Sequence, residues 1–127
     1  MAATAVKAAD MLKEKGIYAA LALCELIKPY SVPAGLIIGG LPRSVGTLVF
    51  IEEEIRAGGF GMNLSDAIAR EPGGDAFECV SLGTDETFAV PDSGSNVFSA
   101  AGVSADIIAD KIDSLLHKNK TQSEESK

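Results

Sequence analysis

Apolar positions along the 127-residue chain fall first on a helical period and then into short unbroken runs. Ala5, Ala8, Ala9 and Leu12 share one face of a helix predicted over residues 3–15, with Lys7, Asp10 and Glu14 opposite. Gly16 follows the basic Lys13 and Lys15, as at a helix C-terminus with a left-handed cap. Residues 17–23 are continuously apolar without alternation, the pattern of a strand buried on both faces in a parallel sheet. Lys28 and Pro29 end this unit. Leu36, Ile37 and Ile38, set among glycines and prolines, fit either one helical turn or a packed loop. Residues 47–51 predict a second apolar strand, closed by Glu52, Glu53 and Glu54. Gly58, Gly59 and Gly61 then open a helix with Phe60, Leu64, Ala67 and Ile68 on its core face, and Pro72, Gly73 and Gly74 stop it. A third strand is expected at 77–81, a loop at 82–91 and a short helix at 96–101 ended by Gly102. Ser104 is a good N-cap for a last helix, with Asp106 in its first turn and Ile108, Ile112, Leu115 and Leu116 as its apolar stripe. Alternating strands and helices predict an α/β layer fold with a mostly parallel sheet.

Composition sets bounds on this picture. Apolar residues make up 46% and charged residues 23%, the balance of a soluble globular protein with room for one core. From Lys118 the chain is polar without an apolar anchor, so one domain over 1–117 and a disordered tail over 118–127 are expected. Eighteen acidic against eleven basic side chains give a net charge of -7, which disfavours nucleic acid and anionic membranes as partners. No apolar run approaches the ~18 residues of a membrane span. The N-terminus lacks the basic and long apolar regions of a secretory signal. A reduced, cytoplasmic setting is the expectation, and Cys24 and Cys79 have neither disulfide-scaffold nor metal-ligand spacing.

The candidate chemistry is sparse. The Gly58–Gly59–Phe60–Gly61 turn lies between a strand and a helix, where free backbone N–H groups can hold an anion. One reading is therefore a stand-alone small-anion or nucleotide-binding module. Against it, the spacing matches neither a dinucleotide fingerprint nor a phosphate loop with lysine, and three glutamates stand just upstream. Glycines that permit a tight turn and close helix–sheet packing explain the motif as well. Of the glutamates, Glu52 and Glu54 would share a face of a strand. With no His or Asp nearby in sequence to complete a metal shell, a solvated or interface-facing acidic cluster is the expectation. His117, the sole histidine, suits a cation at a helix C-terminus better than a general base in a cleft. Cys24 and Cys79 fall in or beside predicted buried strands, as inert small hydrophobes do, and Arg43 and Arg56 read as solvated loop residues. No catalytic, cofactor-binding or metal-binding set emerges.

The order of these motifs nevertheless resembles the C-terminal domain of the transketolase-like thiamine-diphosphate enzymes. The resemblance rests on Ala8–Ala9–Asp10–Met11–Leu12 with Gly16 and Ile17, on the Lys28–Pro29 pair, and on Glu52–Glu53 followed by Gly58–Gly59–Phe60–Gly61. It continues through Leu82, Gly83, Asp85, Phe88, Pro91, Gly94 and Ser95 to the Ala101–Gly102–Val103–Ser104 segment before the last helix. This later part is most similar to the 1-deoxy-D-xylulose-5-phosphate synthase branch, transferases of isoprenoid-precursor biosynthesis that join pyruvate to glyceraldehyde 3-phosphate. The resemblance implies a three-layer α/β/α sandwich used for assembly and dimer contacts. It implies that thiamine diphosphate, Mg2+ and the catalytic residues belong to other domains of the parent enzyme. Lys28, Pro29, Glu52, Glu53, Gly58, Gly59 and Gly61 are then structural signature residues. The partners implied are a second copy, a chain carrying the thiamine-diphosphate-binding domains, or both. Three departures stand out: the family's first strand is missing, Glu54 occupies a usual glycine position, and Tyr30 and Ser31 follow Lys28–Pro29 where an acidic residue is usual. They imply a fragment, a split subunit or a diverging remnant with an exposed strand edge.

Overall fold

A computed structural model describes residues 1–42, 44–84 and 101–125, with the backbone alone from 119 onward. Its elements are helix α1 (Ala2–Glu14), helix α2 (Ser31–Gly40), strand β1 (Thr47–Ile55), helix α3 (Phe60–Arg70), a 3-10 turn (Gly74–Ala76), strand β2 (Glu78–Thr84) and helix α4 (Ala105–Glu125). The expected α/β class is present: β1 and β2 pair in parallel, joined through α3, with helices on both faces. Among the described residues the sheet holds these two strands.

The strands alternate cleanly between two cores. Leu48, Phe50 and Cys79 turn to one face, where they pack against the buried Ala34 of α2 and Leu64 and Ile68 of α3. Ile51 and Leu82 turn to the other, against Ala8 and Leu12 of α1 and Ile108 and Ala109 of α4. The heptad-like spacing of α1 thus buries the predicted face. Gly16 ends the helix at φ +78°, the left-handed conformation expected there. On the first face the Phe60 ring lies 6.1 Å from Tyr30 and edge-on to Phe50 at 6.5 Å, so aromatic contacts tie α2, α3 and β1 together.

The register runs Thr47 to Glu78 through Ile51 to Leu82 and then slips, so that Ile55 meets Thr84. From Ile51 to Ile55 β1 advances four positions while β2 advances two. Such a bulge re-aims the side chains within it. Glu52 is the first of them.

Several expectations are corrected. Residues 17–23 form no strand; the segment is irregular, and all but Ile17 are exposed. An apolar run becomes a buried strand only beside a pairing partner, and among the described residues the sheet consists of β1 and β2 alone. Strand β1 does not stop at the glutamates but continues to Ile55, because Arg56 N–H still bonds the Thr84 carbonyl. Strand β2 starts one residue later than expected and runs three further. Leu36–Ile38 resolve as part of a ten-residue helix. The last helix runs on to Glu125 rather than giving way to a disordered tail at Lys118. With no glycine or proline after residue 117, a helix already nucleated costs little to extend. The loop expected at 82–91 is strand as far as Thr84; the remainder, most of the 96–101 helix and Arg43 lie outside the described residues.

Candidate functional site

The Gly-rich turn is already occupied by a side chain of the protein itself. Helix α3 begins at Phe60 with Gly59 as its N-cap, leaving the first-turn N–H groups without helical acceptors. The Glu52 carboxylate fills that position. Its Oε2 accepts the Phe60 N–H at 2.6 Å and its Oε1 accepts the Gly61 N–H at 3.2 Å. Oε1 also accepts the Ser81 hydroxyl at 2.6 Å from β2. Glu52 is only 7% exposed, and its three partners use it purely as an acceptor, as a carboxylate requires. An anion at the positive end of α3 is favourable, and here the chain supplies its own.

The glycines follow from this packing. A Cβ on Gly59 would stand 2.5 Å from Glu52 Oε2 and 2.6 Å from the Ile55 carbonyl. One on Gly61 would overlap the Ser81 hydroxyl and come within 2.9 Å of Phe50 Cβ. Gly58 provides the left-handed corner at φ +74°, and Asn63 Nδ2 ties the turn down by donating to the Gly58 and Gly59 carbonyls at 2.9 and 2.8 Å. The bulge, the turn, α3 and β2 therefore converge on one carboxylate.

This differs from the acidic cluster expected from sequence. Glu52 is buried rather than solvated, Glu53 is exposed and accepts the Met1 amino group at 2.8 Å, and Glu54 is exposed. The anion reading of Gly58–Gly61 requires donors that Glu52 has taken. Lys28 and Pro29 are exposed and joined by a cis peptide just before α2. Ser81 was not legible as a partner. Its signal was its place opposite Phe50 in a parallel register, which only the paired strands reveal.

The remaining candidates do not assemble. An open depression of about 800 Å³ borders the turn, lined among others by Arg56, Met62, Ser65, Cys79 and Thr84. Burial pushes the Cys79 thiol above its ordinary value, with a Ser65 side-chain hydrogen bond opposing, so it stays protonated and a poor nucleophile at neutral pH. Cys24 is exposed rather than buried, its thiol donating to the Leu26 carbonyl at 3.3 Å, because the segment around it forms no strand. His117 is exposed 3.8 Å from Asp113 in the middle of α4, and the added helical turns remove it from the C-terminal position expected of it. Among the described residues no group of three His, Cys, Asp or Glu could hold a metal ion. None of their helices is long and apolar enough to cross a membrane.

A strand, a Glu-anchored Gly-Gly-x-Gly turn and a helix that returns to a parallel strand are thus held together by one side chain. Over 68 residues, 54% of its length, the chain is 37% identical to the 1-deoxy-D-xylulose-5-phosphate synthase of Desulforudis audaxviator strain MP104C. The chain is similar to 1-deoxy-D-xylulose-5-phosphate synthase. The likeness spans only 10% of that synthase. No family model and no solved structure matches.

Proposed function

We propose that the chain is a non-catalytic assembly domain, or a split subunit, of a thiamine-diphosphate enzyme of the 1-deoxy-D-xylulose-5-phosphate synthase type, acting in the cytoplasm. In this reading it belongs with the C-terminal domain of such enzymes. Its partners are a second copy and a chain carrying the thiamine-diphosphate and Mg2+ sites, where pyruvate and glyceraldehyde 3-phosphate react. The supporting observation is the Glu52 anchor: the most ligand-like feature of the chain has both turn N–H groups satisfied internally and serves to hold a β–α–β unit rigid. The similarity to the synthase supports the choice of enzyme type.

The test is native isolation of the chain from its own cells, followed by assembly mass and identification of bound chains. Co-purification with a longer chain that binds thiamine diphosphate is the expected result. Turnover of pyruvate and glyceraldehyde 3-phosphate by the isolated chain with thiamine diphosphate and Mg2+ would overturn the reading. So would saturable phosphate or nucleotide binding abolished by Gly59→Val, which would instead establish an anion-binding module.

A further inference from the structure

The stretch between α1 and α2 leaves its backbone open. None of residues 18–27 makes a backbone–backbone hydrogen bond among the described residues, and all ten are exposed. Tyr18 and Leu23 reach 82% and 73% exposure. Leu36 is as open at 71%, but it lies in the middle of α2, where the helix bonds its own backbone. A protease cleft takes its substrate as an extended strand and bonds its main chain. Unbonded, exposed backbone therefore decides where a folded chain is cut, and an exposed side chain alone does not. The two ends of the stretch are fastened to separate cores. Upstream, Ala8 and Leu12 of α1 are buried with Ile108 and Ala109 of α4, and Lys15 bonds Asp110 at 2.9 Å and Asp113 at 3.1 Å. Downstream, Ala34 of α2 is buried with Leu64 and Ile68 of α3.

We propose that residues 18–27 are a processing site for an endoprotease that cuts after large apolar or aromatic side chains, and that the cut leaves α1 seated on α4 as a separate, displaceable chain. The segment offers Tyr18, Leu21, Leu23 and Leu26 to such an enzyme and holds no Lys or Arg for one that cuts after a basic residue. Ala19, Ala20, Ala22 and Cys24 between them leave the main chain open to a narrow cleft. In the step itself water adds across one peptide bond, after Tyr18 or Leu23. The carbonyl carbon takes the hydroxyl and becomes a carboxylate, while the nitrogen takes a proton and becomes the amino terminus of the larger piece. No buried contact is lost, because neither core draws a residue from 18–27. What changes is the connection. A helix held in place by a covalent tether becomes one held by binding alone, which dilution or a competing helix can remove.

This site goes beyond the assembly reading and does not rest on it. Chymotrypsin acting on the full native chain, followed by mass measurement of the pieces, is the test. Its first cut among residues 1–42 should fall within 18–27, about tenfold or more faster than any cut after Leu36. Ser81→Ala weakens the β–α–β unit but should leave this rate within about twofold, since the segment is already open. A cut that waited for the whole chain to unfold would instead speed up about fivefold. On gel filtration the N-terminal piece should travel with the rest, and Leu12→Ala should weaken its retention by about tenfold or more. A chain that resists chymotrypsin within 18–27, equal cutting after Leu36, the faster cutting of Ser81→Ala, or a wild-type N-terminal piece that parts from the nicked chain would overturn the proposal.

Discussion

Glu52 illustrates what a single residue can settle. Among the described residues its carboxylate is the acceptor of the Phe60 and Gly61 amides and the Ser81 hydroxyl, so removing it leaves these donors unmatched. Glu52→Ala should cost roughly 2–4 kcal/mol, against about 1 kcal/mol for Ser81→Ala, which removes one donor and leaves the carboxylate its two amides. Glu52→Gln should fall between them, since its amide keeps the shape but offers a donor where an acceptor is needed. Urea unfolding of the three variants checks the order. Gly59→Ala should cost about 1–3 kcal/mol, because its Cβ meets the Ile55 carbonyl, which is backbone and cannot swing aside. Much of this was hidden in the sequence. The Glu-Glu and Gly-Gly-x-Gly spacing marked this region, but alternation put Glu52 and Glu54 on one face, and only the folded chain shows Glu52 alone buried.

At the scale of elements, helices were more legible than strands. The faces of α1, α3 and α4 follow from side-chain period alone, because a helix satisfies its own backbone. A strand needs a neighbour, and residues 17–23 carry a strand's composition without one. Leu12 locks α1 onto Ile108 and Ala109, so Leu12→Ala should lower stability by about 2–5 kcal/mol, read from the denaturation midpoint. Lys15 joins the same two helices at the surface, with Nζ 2.9 Å from Asp110 and 3.1 Å from Asp113. Hydrogen bonds to Asp110 and then Asp113 hold its pKa above the ordinary lysine value of 10.5. A raised folded-state pKa means that the stabilisation is fully present below 10.5 and is lost as pH rises through the folded value. Lys15→Gln should therefore melt slightly below wild type at pH 8, and the difference should close above pH 10.5. Differential scanning calorimetry across that range checks the sign. Salt should shrink the gap as well, since the pair is exposed.

For the whole molecule, the ordered motifs carried the fold class and the kinship to the synthase, whereas composition carried neither. Activity was not legible, because the residues able to do chemistry were read one by one and only the fold says which of them meet. What the Glu52 anchor changes is how the molecule breathes. Amides in the first turn of a helix ordinarily exchange their hydrogens fast, since nothing inside the helix holds them. Here the Phe60 and Gly61 amides are held by a carboxylate from β1, which β2 holds in turn through Ser81. They can trade hydrogen for deuterium only when the strands and the helix part together, so two protons at a helix start become the gauge of how often the entire β–α–β unit opens.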